Sequence, residues 1–117
     1  MATNSQIAFN PQGNTVVISA AAVAPAGVQV PVNNKFNAQE TGQMRIVNAS
    51  ANTVHLGVGP TAAIAQANAV AAAAGVPAAG VPLVAGAVEI LRFPDGSYFS
   101  GLAAAATTVY ITPGEGM

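Results

Sequence analysis

Gln43-Met44-Arg45-Ile46-Val47-Asn48-Ala49-Ser50-Ala51-Asn52-Thr53-Val54-His55-Leu56-Gly57-Val58 carries a two-residue rhythm on both sides of a short polar centre. Met44 and Ile46 alternate with Gln43 and Arg45. Val54, Leu56 and Val58 alternate with Thr53, His55 and Gly57. Successive side chains of a strand point to opposite faces, so each arm is expected to be a strand with one buried face. The centre, residues 48–52, is rich in turn-forming Asn and Ser. The stretch is therefore expected to be a hairpin.

The rest of the chain follows the same pattern. A turn cluster at 10–14 precedes the β-branched run 15–19, and Val28, Val30 and Val32 alternate with Gln29 and Pro31. That proline confines its strand to an edge or an end. A polar loop covers 33–37. Residues 87–93 are expected to be a strand, with Glu89 in a cross-strand ion pair to Arg45 or Arg92. Pro94-Asp95-Gly96-Ser97 is a turn in which proline presets φ and glycine takes the left-handed position, and Tyr98-Phe99 starts the return arm. Residues 107–112 form the last strand, ended by Pro113-Gly114. Seven or eight such strands predict an all-β fold, an antiparallel, jelly-roll-like β-sandwich. It forms a single domain over 14–117 behind an N-terminal arm, 1–13.

Residues 61–81 break the rhythm and are expected to be an Ala-rich loop or short helix inserted in the sandwich. Thr61 suits an N-cap, 62–74 has high helix propensity, Gly75 suits the C′ position, and Pro77 blocks continuation. Ile64 and Val70 lie six residues apart and share no helical face.

Composition removes whole classes of function. The 117 residues include three Lys or Arg and four Asp or Glu, so 6% are charged against about 25% in ordinary soluble domains. Three cations neutralise only about three phosphates, which argues against nucleic acid as a partner. There is no cysteine, hence no disulfide, thiolate site or thiol nucleophile. Residues 69–88 lack polar side chains, but Pro77 and Pro82 interrupt them, and no membrane span is expected. The first ten residues lack the basic and leucine-rich regions of a signal peptide.

Candidate chemistry is sparse. Gly57-Val58-Gly59-Pro60-Thr61-Ala62 matches a dinucleotide-binding fingerprint, yet Pro60 removes an amide donor and Glu89 is the first acid downstream. His55, the only histidine, alternates with core residues and is expected to face outward. Glu40, Glu89 and Glu115 have no pairing suited to acid–base work, Asp95 has no local carboxylate to share a cation, and no serine sits in a nucleophile elbow. No enzymatic activity, cofactor or metal is expected. What remains is surface: no charge falls between Leu56 and Val88, and uncharged apolar patches mark partner interfaces. The candidate contact residues are Ile7, Phe9 and Pro11 in the arm, and Ile64, Val70, Val76 and Val81 in the Ala-rich segment.

Four blocks resemble small virion proteins of tailed bacteriophages. They are Gly42-Gln43-Met44-Arg45-Ile46-Val47-Asn48; Asn52-Thr53-Val54-His55-Leu56-Gly57-Val58-Gly59; Leu83-Val84-Ala85-Gly86-Ala87-Val88-Glu89-Ile90-Leu91; and Thr108-Val109-Tyr110-Ile111-Thr112-Pro113-Gly114-Glu115-Gly116-Met117. The resemblance implies a capsid decoration or cement protein, a homo-oligomer and commonly a homotrimer. It would be assembled in the host cytoplasm and seated on the virion, bridging neighbouring major capsid subunits. The Ala-rich segment has no counterpart in the group. So few charges predict shell binding that is nearly insensitive to salt. The alternative is a receptor- or glycan-binding sandwich module of a phage fibre or bacterial adhesin, which would draw on Phe36, Tyr98, Phe99 and Tyr110.

Overall fold

The computed structural model describes residues 10–11, 14–30, 43–94 and 96–115. The strands are β1 (Asn10–Pro11), β2 (Val16–Ala20), β3 (Val28–Gln29), β4 (Gln43–Asn48), β5 (Val54–Gly59), β6 (Val81–Leu83), β7 (Val88–Arg92), β8 (Tyr98–Ala103) and β9 (Thr107–Glu115). One helix, α1 (Ala62–Asn68), lies between β5 and β6. Sheet A runs β1/β2–β9–β4–β7, and sheet B runs β3–β8–β5–β6, both antiparallel. The two sheets make an all-β sandwich.

Alternation correctly marks what is buried: Met44, Ile46, Val54 and Leu56 are in the core, Arg45 is exposed and His55 half-buried. The expected hairpin does not form. β4 pairs with β7 and β9, and β5 with β6 and β8, so residues 49–53 cross from one sheet to the other. Laid side by side, the four apolar side chains would all line one sheet and need a further layer. Laid face to face, about 10 Å apart, the two strands cover each other. Five residues can span that gap.

Asn48 makes this crossing specific. It is fully buried, and its Nδ2 donates to the carbonyls of Asn52 (2.8 Å), Leu83 (2.9 Å) and Val84 (3.0 Å). Its Oδ1 accepts from the Ser50 hydroxyl at 2.8 Å. Its own amide donates to the Ala87 carbonyl, and its carbonyl accepts from Gly86. One side chain thus braces the β4–β5 and β6–β7 crossings together.

The β7–β8 connection crosses sheets too, so Tyr98-Phe99 opens a strand of sheet B and no return arm beside β7. Its turn is as expected at Gly96 (φ 77°), and the Ser97 amide donates to the Pro94 carbonyl. Pairing is nested: β5 with β6, β4 with β7, β3 with β8 and β2 with β9. The last strand continues past Pro113-Gly114 to Glu115 and pairs there with β1. Register slips by two residues between the β1 and β2 pairings.

The core holds Ile18, Val30, Met44, Ile46, Val54, Leu56, Leu83, Phe99, Val109 and Ile111, with Phe93 edge-on to Phe99 at 5.2 Å. The Glu89 ion pair is corrected by register. Glu89 lies opposite Ile46 and shares its face, whereas Arg45 lies opposite Ile90 and Arg92 opposite Gln43, on the other face.

Residues 61–81 are part helix and part loop. Thr61 caps α1, its hydroxyl accepting from the Ile64 amide. The helix stops at Asn68, six residues short of the expected end. Only Ala65 within it is buried, and Ala69 caps it. This i,i+4 pair just spans the glycines of β5 beneath. The Asn68 side chain, bonded to the Val58 carbonyl at 2.8 Å, then ties the end down. Gly75 (φ 76°) serves a tight turn between Ala73 and Val76 rather than a helix cap.

Candidate interaction surfaces

Two outer faces are available, and they differ. The outer face of sheet B is roofed. Gly57 and Gly59 point outward beneath α1, where a Cβ at Gly57 would collide with the Ala65 carbonyl and the Ala69 amide, and one at Gly59 with Ile64. The Gly57-x-Gly59 spacing therefore serves close helix-to-sheet packing. Segment 21–27 completes the roof: Ser100, fully buried, donates to the Pro25 carbonyl at 2.6 Å, and Gln66 donates to the Ala24 carbonyl. A hollow of about 470 Å³ beside the glycines is lined by Val58, Gly59, Pro60, Pro94, Gly96 and Ser97, none of them charged. Nothing among these residues grips a phosphate.

The contact residues expected from the sequence scatter. Ile64 is exposed on α1, and Val70 and Val76 in the loop that follows it, Val76 most of all at 62%. Val81 packs against the core from β6 and is only partly exposed. Pro11 is exposed in β1, at the β9 edge of sheet A; Ile7 and Phe9 lie outside the described residues. His55 faces outward into a shallow hollow of about 440 Å³ with Asn52, Thr53, Ala71 and Leu102. Of the aromatics suited to a sugar platform, Phe99 is core, Tyr98 lies in sheet B and Tyr110 in sheet A. They do not converge, and Phe36 lies outside the described residues. Among the described residues no group of three or more His, Cys, Asp or Glu could hold a metal, and no helix is long and apolar enough to cross a membrane.

The outer face of sheet A has no roof among the described elements. Register aligns Val17, Tyr110, Val47 and Val88 in one row across four strands, about 14 Å at the usual strand spacing. The next row holds Thr112, Arg45 and Ile90, with Thr15 bonded to Thr112 at 2.8 Å. Val17, Val88 and Ile90 are about half exposed and Tyr110 is 40% exposed. Arg45 is exposed and sits centrally; Arg92 lies on the same face, opposite Gln43. No acidic residue falls on these rows.

The sequence names Tyr110 for a sugar platform and Arg45 and Arg92 for an ion pair with Glu89, but does not mark this face. The signal lies in runs such as Val16-Val17-Ile18, Ile46-Val47 and Val109-Tyr110-Ile111, apolar in both phases of the alternation. A strand of that kind needs two covered faces.

No protein-family model, curated protein or solved structure matches the chain.

Proposed function

We propose that the chain is a non-enzymatic structural subunit of a tailed-phage virion, decorating the shell and bridging major capsid subunits as a homo-oligomer, with a trimer expected. The observation that carries this reading is the open apolar face of sheet A on a chain with hardly any charge. A free monomer gains nothing from such a face, whereas a subunit held among neighbours buries it.

The nested strand pairing supports a jelly roll, the product of rolling up one long antiparallel hairpin, and jelly rolls recur in viral capsid domains. Fold alone does not assign function; the four sequence blocks supply the link to virions. Cryo-electron microscopy of particles from the phage that encodes the chain is the test. The chain is expected on the outside of the shell, and particles lacking it are expected to release DNA at a lower temperature. Absence from purified particles, or a position on a tail fibre, overturns the reading.

A further inference from the structure

We infer that the outer face of sheet A is the surface seated on the shell, and that the shell surface it meets is apolar and acidic. The inference rests on the capsid reading above and names which side of the sandwich makes the contact. Three observations lead to it.

The first is asymmetry. The outer face of sheet B is spent on α1 and segment 21–27, whose alanines and glycines fill it at van der Waals distance. On sheet A the apolar row Val17–Tyr110–Val47–Val88 and the neighbouring Ile90 stay in contact with water.

The second is residue type. Tyr110 sits mid-row and Arg45 sits beside it on the next row of β4. Tyrosine and arginine ringed by aliphatic groups are what the energetic centres of protein interfaces are made of.

The third is charge. Arg45 lies at the centre of this face, and Glu89, on the neighbouring strand β7, is turned to the opposite one. Closing this face against the same face of a second copy would set cation against cation in a dry contact, which like-charge repulsion penalises. A surface bearing carboxylates among apolar groups meets Arg45 with a charge-assisted hydrogen bond and buries the row at once. The occupant is therefore a different protein, acidic where Arg45 lands. Self-association is left to other surfaces.

The placement also revises the salt dependence. Whole-chain charge predicts binding nearly indifferent to salt, but a contact that uses one face uses that face's charge. Affinity should fall by roughly 3–10-fold between low and moderate ionic strength.

Shells prepared without the chain, mixed with the purified protein and pelleted, give the measurement. Arg45→Glu is expected to weaken binding by about 10-fold or more and Arg45→Gln by less, with the residual salt dependence shrinking in both. Val88→Asp is expected to weaken binding as well. Both positions are solvent-facing, and unchanged thermal melting of each variant verifies the fold. Ile64→Asp, on the roof of sheet B, and Val76→Asp, in the exposed loop beyond it, are expected to bind as the unaltered chain does.

Wild-type affinity in both Arg45→Glu and Val88→Asp overturns the inference and leaves the capsid reading standing. So does loss of binding in the Ile64 and Val76 variants alone. Self-association of the free chain that Val88→Asp abolishes would put a second copy on this face and overturns it too. Failure of the unaltered protein to bind any shell removes both.

Discussion

Asn48 shows how much one polar side chain can decide inside an apolar sandwich. Its amide group holds three carbonyls that belong to two crossings 35 residues apart in sequence. Replacing it by leucine takes this donor from the buried Leu83 carbonyl, at about 1–3 kcal/mol for a group that water cannot reach, while the Asn52 and Val84 carbonyls keep the Ser50 hydroxyl and the Ala87 amide. Asn48→Leu should therefore cost roughly 1–3 kcal/mol, measured by urea denaturation. A loss under about 1 kcal/mol would mean that the crossings stand without it. Gly57 is the second such position. Gly57→Ala puts a methyl into the Ala65 carbonyl and the Ala69 amide; lifting the helix should cost about 1–3 kcal/mol. Gly75→Ala meets open space but a φ of 76°, and should cost about 1 kcal/mol. A cost near zero for Gly57→Ala would refute its packing role. The spacing of Gly57 and Gly59 was legible in the sequence, but its partner was not, because a glycine near a phosphate and a glycine under a helix are the same letter.

At the scale of elements, strands could be read and their neighbours could not. A period of two reports which side chains are buried, and it did so for Met44, Ile46, Val54 and Leu56; it carries no information on whether the next strand lies beside or opposite. The same gap hid the sheet A face, since Val47 and Tyr110 read as the outward phase of ordinary strands. Edges are the other property of elements. β3 is two residues long, Pro82 sits in the middle of β6, and a register slip with Pro11 breaks the β1/β2 edge. β7 is the exception, five residues with neither proline nor glycine. Its protection is Glu89, a carboxylate on the core-side face of the strand, where a further strand added to the edge would bury it. Glu89→Val should raise concentration-dependent association above that of the unaltered chain without lowering Tm. Unchanged sedimentation across concentrations would show that the edge is guarded by something else.

For the whole molecule, the question is where the sandwich ends and the arm begins. Sequence places that boundary between residues 13 and 14, because 10–14 has turn composition. The fold draws Asn10 and Pro11 into sheet A opposite Glu115 and Gly114, so a truncation at 13 removes part of a sheet as well as an arm. The two effects separate by cutting twice. Deleting residues 1–9 leaves β1 in place and should leave Tm nearly unchanged. Deleting 1–13 removes a short ladder worth about 1–2 kcal/mol in hydrogen bonds. On a domain of this size that lowers Tm by roughly 4–12 °C. If both truncations also lose shell occupancy to the same degree, the attachment lies within 1–9, the stretch that includes Ile7 and Phe9. If only the longer one loses it, the loss follows from the disturbed β9 edge of sheet A. Equal melting of the two truncated proteins would show that the β1 ladder adds no stability, and the boundary at 13 would then stand as the sequence suggests.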